Sequence, residues 1–459
     1  MKPLKSFLFR PGRVTMMAAA ACTLVALFAT VSAAGEYRTL SVREAVSLAF
    51  KGNHDLRAYG YDVEAQGEDV GIARSALLPH LSFEERFLRT NNPPSVFSAK
   101  LNQQRFTTQD FSIDALNQPR SINDFQTSVM LEQTIFSRKA MIGIDMSKLQ
   151  REARDGGYYR KKEEVAFQVI RVFLFVQTAR QYAGASGRAV EDAEEHRRIA
   201  QLRYDSGLGL YADLLRASTA LAEANQKLIT AQTNLSVARR SLGLLLGLSE
   251  AIDVSDEAVE LPQREMDANV RNAASRNDLK AAGLYLENAK KNVGLAESGY
   301  LPTLGVGGGY QFNDHRKPFG AEGQSWTVQA FLRWEFFDGF KREHERAKAK
   351  YQVSQVEEQL DSLKLSVSFK VYEAGLGVEE ALKNQELAAA ALGTAEEGKR
   401  LIELRYRNSL SPIVDLLDAQ ANLDHARAVR IARMNDYRLA RANLSYQSGS
   451  LLGDLAIEQ

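Results

Sequence analysis

The chain has almost no cysteine: Cys22 alone, among 459 residues. That excludes a disulfide framework and any cysteine-rich zinc or iron–sulfur site. It has no charge of one sign to spare, with 58 Lys and Arg against 57 Asp and Glu. A formal +1 leaves nothing to neutralise phosphates, so no nucleic acid partner is expected. Proline is scarce at 10 residues and tryptophan scarcer at 2. Beyond residue 34 no run of about 18 uncharged apolar residues occurs, which excludes a transmembrane helix there. A β-barrel, the other structure that crosses a membrane, stays open. With 45% apolar residues, wholesale disorder is excluded as well.

What is present begins with an export signal. Lys2, Lys5, Arg10 and Arg13 precede an apolar run from Val14 to Val31 and the small residues Ser32, Ala33 and Ala34. Residues 1–34 therefore read as a secretory signal peptide. An uncleaved anchor, or lipidation at Cys22, are the alternatives. Cleavage near Ala34 removes the one cysteine and turns the formal charge slightly acidic.

The remainder repeats itself. His54-Asp55-Leu56-Arg57-Ala58 recurs as Asn277-Asp278-Leu279-Lys280-Ala281. Ser75 to Leu81, with Pro79, recurs at the same offset as Ser298 to Leu304, with Pro302. Leu202-Arg203-Tyr204 matches Leu404-Arg405-Tyr406, and Asp213-Leu214-Leu215 matches Asp415-Leu416-Leu417, at a smaller offset. The first half therefore holds an insertion, which fits the polar stretch Thr90 to Asn123 against its shorter counterpart Asn313 to Ser325. The expected organisation is a first repeat over 35–248, a linker over 249–265 and a second repeat over 266–459.

Each half carries two alternating segments. They are expected as strands at about 81–90 and 125–136, then about 302–312 and 326–337. Leu81, Phe83 and Phe87 oppose Ser82, Glu84 and Arg86. Phe125, Thr127, Val129, Leu131 and Ile135 oppose Gln126, Ser128, Glu132 and Thr134. Period 2 over about ten residues fits a membrane-spanning strand, and equally a half-buried strand of a soluble sheet. Trp326 and Trp334 tilt the balance: they share one apolar face, eight positions apart, near the separation of two interfacial aromatic belts. The run Gly305 to Gly309 lacks a following Gly-Lys-Ser/Thr, so it reads as strand rather than as a phosphate loop.

Each half ends in a very long helical pattern broken once. Ser137 to Tyr204 and Phe340 to Arg407 contain no proline. Either is about 100 Å long as a single helix. After the first break, at 204–210, Leu214, Leu221, Leu228, Leu235 and Leu242 form a heptad with Ala217, Ala224, Ala231, Ala238 and Leu245, a coiled-coil seam with one small position. The second break falls at 407–412. There Ser411 and Pro412 read as N-cap and first residue of the returning helix.

Four strands cannot close a barrel, and lipid tolerates no open edge. Several copies must therefore pool their strands. Three would supply about twelve, and the arithmetic alone does not exclude four copies. With its tandem halves, the junctions at Pro79 and Pro302, the breaks at Arg203–Gly207 and Arg405–Ser409, and the tail Asp415 to Leu423, the chain resembles the TolC-like outer-membrane efflux protein family. The resemblance covers nearly the whole mature chain. It implies a mixed all-α plus β-barrel fold: a long α-helical barrel continuous with a 12-stranded trimeric outer-membrane β-barrel, four strands per protomer. The loops Thr90–Asn123 and Asn313–Ser325 would face outside. The linker and the C-terminal segment would form a belt midway along the helices.

No catalytic set emerges, so no enzyme, cofactor or metal site is expected. The six histidines are scattered, without paired ligand spacing. By resemblance the hairpin tips, Ser206, Gly207, Leu208, Asn408, Ser409 and Leu410, would dock a periplasmic adaptor. Tyr204, Tyr406, Asp213, Asp415 and Asp418 would form the constriction. Asp415 and Asp418 share a helix face. They read either as a pore ring that concentrates cations or as ordinary acids near a positive helix end. Where some members carry an Arg that bridges to an Asp, this chain has Ser411. The implied function is the exit duct of a tripartite efflux system, with a homotrimer in outer-membrane lipid, an adaptor and an inner-membrane pump. The alternative is the outer-membrane component of type I protein secretion.

Overall fold

The computed structural model describes residues 37–457. The export signal read at 1–34, with Cys22, lies outside the described residues. The elements in order are β1 (Thr39–Leu40), α1 (Val42–Gly52), α2 (His54–Ser75), β2 (His80–Thr90), α3 (Pro93–Asn102), α4 (Ile113–Asn117) and β3 (Ile122–Phe136). Then follow α5 (Arg138–Asp205), α6 (Tyr211–Leu245), β4 (Asp253–Val254), α7 (Met266–Ala273), α8 (Asn277–Glu297), β5 (Thr303–Asp314) and β6 (Gly323–Arg333). The chain ends with α9 (Lys341–Arg407), α10 (Ile413–Gln447) and α11 (Leu451–Asp454). No described helix is long and apolar enough to cross a membrane.

The alternating segments form one antiparallel sheet in the order β2-β3-β5-β6, so β2 and β6 each have a single neighbour. The register aligns like with like. Phe83 faces Val129, Val129 faces Tyr310 and Tyr310 faces Trp326; one row nearer the helices run Leu81, Leu131, Gly308 and Val328. This apolar face is uncovered: Leu81, Phe83, Leu131, Trp326, Val328 and Leu332 all stand open. The opposite face carries Ser82, Glu84, Arg86, Gln126, Ser128, Glu132 and Gln329. A soluble half-buried sheet packs its apolar face on a core; here that face has no core against it. On the polar face Gly305 leaves room for the ring of Phe331 and Gly309 for the sulfur of Met130; a Cβ at either would collide with that side chain.

The strands differ from expectation at their ends. β3 and β5 reach farther into the polar loops, and β6 stops at Arg333. Trp334 and Phe336 therefore lie beyond the strand, not on its apolar face. Their segment turns instead: Gly339 and Phe340 both take positive φ, at 70° and 65°. Arg342 anchors the turn by donating to the carbonyls of Gly299, Glu335 and Phe336, each at 3.0 Å. The first half needs no such turn. There β3 gives way at Ser137, whose hydroxyl caps α5 by accepting from Ala140 N.

The helices follow their patterns. α5 has 68 residues and α9 67, while α6 and α10 have 35 each. α6 returns along α5, and α10 along α9. The heptad is the buried seam, with Leu214, Ala217, Ala224, Ala238 and Leu242 all shielded from solvent. α2 and α8 flank the part of α5 nearer the sheet. The largest core surrounds the middle of α5. Val169, Ile170, Phe173 and Leu174 pack there with Val46 of α1, Leu242 and Leu246, Ile252 to Leu261 of the linker, and Leu451 and Leu452 of α11. Within that core β1 and β4 pair in parallel, Leu40 beside Val254, a pairing too short to show in the sequence.

Candidate functional site

Both helical hairpins close with the same turn. At the first, Leu208 N–H donates to Arg203 O at 2.8 Å and Gly207 N–H to Tyr204 O at 2.9 Å. At the second, Leu410 N–H donates to Arg405 O at 2.8 Å and Ser409 N–H to Tyr406 O at 3.0 Å. These are the two bonds of a left-handed helix terminus. Gly207 takes φ +73° at no steric cost, whereas Ser409 takes φ +61°, a conformation that costs a non-glycine residue about 1 kcal/mol.

A contact across the hairpins accompanies the strain at Ser409. Arg203, in the last turn of α5, donates to Tyr406 O at 2.7 Å and to Ser409 Oγ at 3.0 Å. Its guanidinium lies 4.8 Å over the Tyr406 ring. A cation from the first half thus caps the negative end of the second half's long helix. Tyr406 is only 3% exposed, packed with Ala200, Ala217, Ile413 and Leu416. Burial pushes its phenol pKa up, and nearby Asp213 adds to the shift. Tyr406, expected at the constriction, is therefore buried between the hairpins of its own chain. Tyr204 is partly exposed beside Tyr211, ring centroids 5.4 Å apart.

Asp415 and Asp418 are exposed in the first turns of α10, and Asp213 is half-buried in the first turn of α6. No hydrogen bond or ion pair joins Asp213 to Asp415 or Asp418 among the described residues. The cap of α10 differs by one residue from expectation: Pro412 is the N-cap, without a side-chain bond. Ser411 instead donates its hydroxyl to Asp415 Oδ2 at 2.5 Å. Proline offers no N–H, so the serine behind it fixes the carboxylate that faces the helix's positive end. At the tips Leu208 and Leu410 are exposed, while Ser206 Oγ and Asn408 Nδ2 donate back to Leu202 O and Leu404 O.

Farther from the tips lies a polar layer that the sequence reading missed. Asp192 of α5 accepts from Gln420 of α10 at 3.1 Å and meets Arg427 at 3.5 Å and Lys399 of α9 at 3.8 Å. Glu403 pairs with Lys399 and Arg407 at 2.8 and 2.6 Å. His196, 2% exposed, sets Nε2 3.4 Å from Gln420 Oε1. Desolvation by burial lowers its pKa and raises that of Asp424. Spacings within one helix, such as Lys399–Glu403–Arg407 and Gln420–Asp424–Arg427, can be read from a sequence; the pairs across helices depend on register.

On the sheet, aromatics gather at both ends of the apolar face. Phe83, Phe87 and Trp326 stand open toward the loops. Trp334, Phe336, Phe337 and Phe340 stand open at the helix junction, where Trp334 Nε1 donates to Tyr300 O at 3.1 Å. Aliphatic Leu81, Leu131, Val328 and Leu332 lie between.

The sequence profile of the family described as outer membrane efflux protein matches residues 45–248 and 270–450. The chain is similar to Protein CyaE of Bordetella pertussis, 26% identical over 427 residues, covering 90% of this chain and 84% of that one. It is 21% identical over 406 residues to the outer membrane protein TolC of Vibrio cholerae, covering 84% and 86%. Among solved structures, a membrane protein from Pseudomonas aeruginosa has the same fold, with a TM-score of 0.76 at 18% identity over 90% of this chain and 91% of that one.

Proposed function

The chain belongs to the outer membrane efflux protein family, an outer-membrane channel family, and on that premise we propose that it is the exit duct of a tripartite efflux system. The observation that carries this reading is the four-stranded sheet with its apolar face exposed and single-neighbour edge strands. In lipid each such edge needs a partner strand. Three copies pool about twelve strands, enough to close a wide barrel. Trp326 and Trp334, with their aromatic neighbours, take the two interfacial belts. The α5–α6 and α9–α10 hairpins of three copies extend the duct across the periplasm for about 100 Å.

In the proposed trimer Leu208 and Leu410, with Ser206, Gly207, Asn408 and Ser409, form the surface for a periplasmic adaptor, which brings the inner-membrane pump. Asp415 and Asp418 form carboxylate rings inside the tip, where close electrostatics favour cations over anions. Transport energy comes from the pump, since the duct needs only to open. The test is reconstitution of the purified protein into planar bilayers, together with expression in a strain lacking its own efflux duct. Discrete cation-selective conductance and restored drug resistance are expected. A protein that inserts but never conducts would sink the reading.

The alternative, the outer-membrane component of type I protein secretion, uses the same passage, because an open duct fits a polypeptide as well as small molecules. Deleting the gene separates the two. Drug sensitivity follows from the first, and retention of an exported protein from the second.

A further inference from the structure

We propose that Asp314, His315 and Glu322, at the base of the β5–β6 loop, form a binding site for a zinc-class divalent cation. The three sit at the end of the sheet away from the helices. The hairpin brings Glu322, just ahead of β6, against the last residue of β5 and its successor. One ligand atom from each lies within 4.8 Å of the other two. An ion bound at about 2.0–2.2 Å to imidazole and carboxylates holds its ligand atoms about 3.3–3.6 Å apart, so binding draws the farther atoms together.

The surrounding bonds orient the ligands. Asp314 is 3% exposed, and its Oδ1 accepts from the backbone N–H of Arg316 at 2.7 Å and of Lys317 at 3.1 Å. Among the described residues no hydrogen bond reaches its Oδ2, which leaves that oxygen for an ion. Glu322 Oε1 accepts from Arg316 Nη2 at 2.9 Å, which turns Oε2 toward His315. There His315 N–H donates to Oε2 at 3.2 Å, and ring Nδ1 stands 2.5 Å from it. Nδ1 and Oε2 stand closer together than two ligands of one ion, so binding spreads this pair. One imidazole with two carboxylates suits zinc and its d-block neighbours better than calcium or magnesium, which prefer all-oxygen shells. Fixed outer-shell partners of this kind hold ligands in place for a metal.

The ion would fasten the loop. Phe319, at the loop's tip, reaches across to β2: its ring stacks on Phe83 at 6.2 Å, and its N–H donates to Glu85 Oε1 at 3.4 Å. Binding therefore pins a loop that covers a carboxylate on the otherwise apolar face. The site itself does not depend on the efflux reading; only the side of the membrane it faces does.

The test is calorimetric titration of the detergent-solubilised full chain with Zn²⁺, followed by Co²⁺ loading and visible absorption. One ion per chain is expected, with cobalt d–d bands that report nitrogen ligation. His315→Gln and Asp314→Asn should each weaken binding at least tenfold and alter the bands, while His80→Gln leaves both unchanged. Circular dichroism confirms that each variant folds, and Glu322→Gln serves where one does not. Absence of saturable binding, or binding that survives in His315→Gln with unaltered bands, would overturn the proposal.

Discussion

Arg203 and Tyr406 join the two halves of the chain where both long helices end, the guanidinium donating to the tyrosine's carbonyl at 2.7 Å and lying 4.8 Å over its ring. A charged hydrogen bond of this kind contributes about 1.5 kcal/mol, a tenfold shift in a two-state equilibrium. If the hairpins must separate for the tip to open, Arg203→Ala should raise the open fraction of single channels about tenfold. Arg203→Lys keeps the charge but not the fork, and should fall between. Unchanged gating in the alanine variant would show that the hairpins move as one body.

Asp415 and Asp418 make a separable prediction. Both are exposed, and Ser411 holds the first in place. Replacing both with Asn keeps size and hydrogen bonding but removes the charge. Cation-over-anion permeability, read from the reversal potential in a salt gradient, should drop sharply. Selectivity equal to that of the parent would assign these acids to the helix dipole alone.

The long β2–β3 loop carries a prediction about acid. Lys100 Nζ lies 2.5 Å from Asp110 Oδ1, and Thr107 N–H donates to Oδ2 at 2.8 Å. The Lys100 bond, then the Thr107 amide, lower the Asp110 carboxyl from 3.8 to about 2. A depressed carboxylate stabilises the fold above its unfolded value and loses that contribution as pH falls through its folded value. The loop should therefore stay anchored at pH 4 and loosen toward pH 2. Limited pepsin digestion across that range should cut within 91–121 only at the acid end. Lys100→Met should move the onset to higher pH.

Much of this molecule was legible because its patterns are long. Sixty-odd residues without proline and an unbroken heptad leave little but a helical hairpin, and its seam is buried at Leu214, Ala217, Ala224, Ala238 and Leu242. Alternation placed the strands because each side chain's face follows from parity alone. What escaped depends on register between distant segments. The Arg203–Tyr406 cap, the layer around Asp192 and His196, and the approach of Glu322 to Asp314 each need a neighbour that periodicity does not specify. The end of β6 escaped for a local reason. Trp334 continues the apolar alternation, but pairing with β5 ends at Arg333, opposite Thr303 where β5 begins, and the chain then runs into the turn at Gly339 and Phe340.

That turn yields the sharpest stability prediction. Arg342 is 8% exposed, with Nε 2.9 Å from Asp338 Oδ2 and the rest of the guanidinium satisfying three carbonyls. It also lies 4.8 Å over the Tyr300 ring. A Cβ on Gly299 would press against its side chain, so the site is built around this arginine. Removing one member of a buried pair strands the other charge, at a cost of about 3–5 kcal/mol. Arg342→Ala should therefore lower the thermal unfolding midpoint and the yield of folded protein severely. Arg342→Lys should recover little, because an ammonium cannot reach the carbonyls of Gly299, Glu335 and Phe336 together. Arg342→Met with Asp338→Leu should recover more, since no charge is left buried alone. If the lysine variant proved as stable as the parent, the charge and not the fork would be what holds strand to helix.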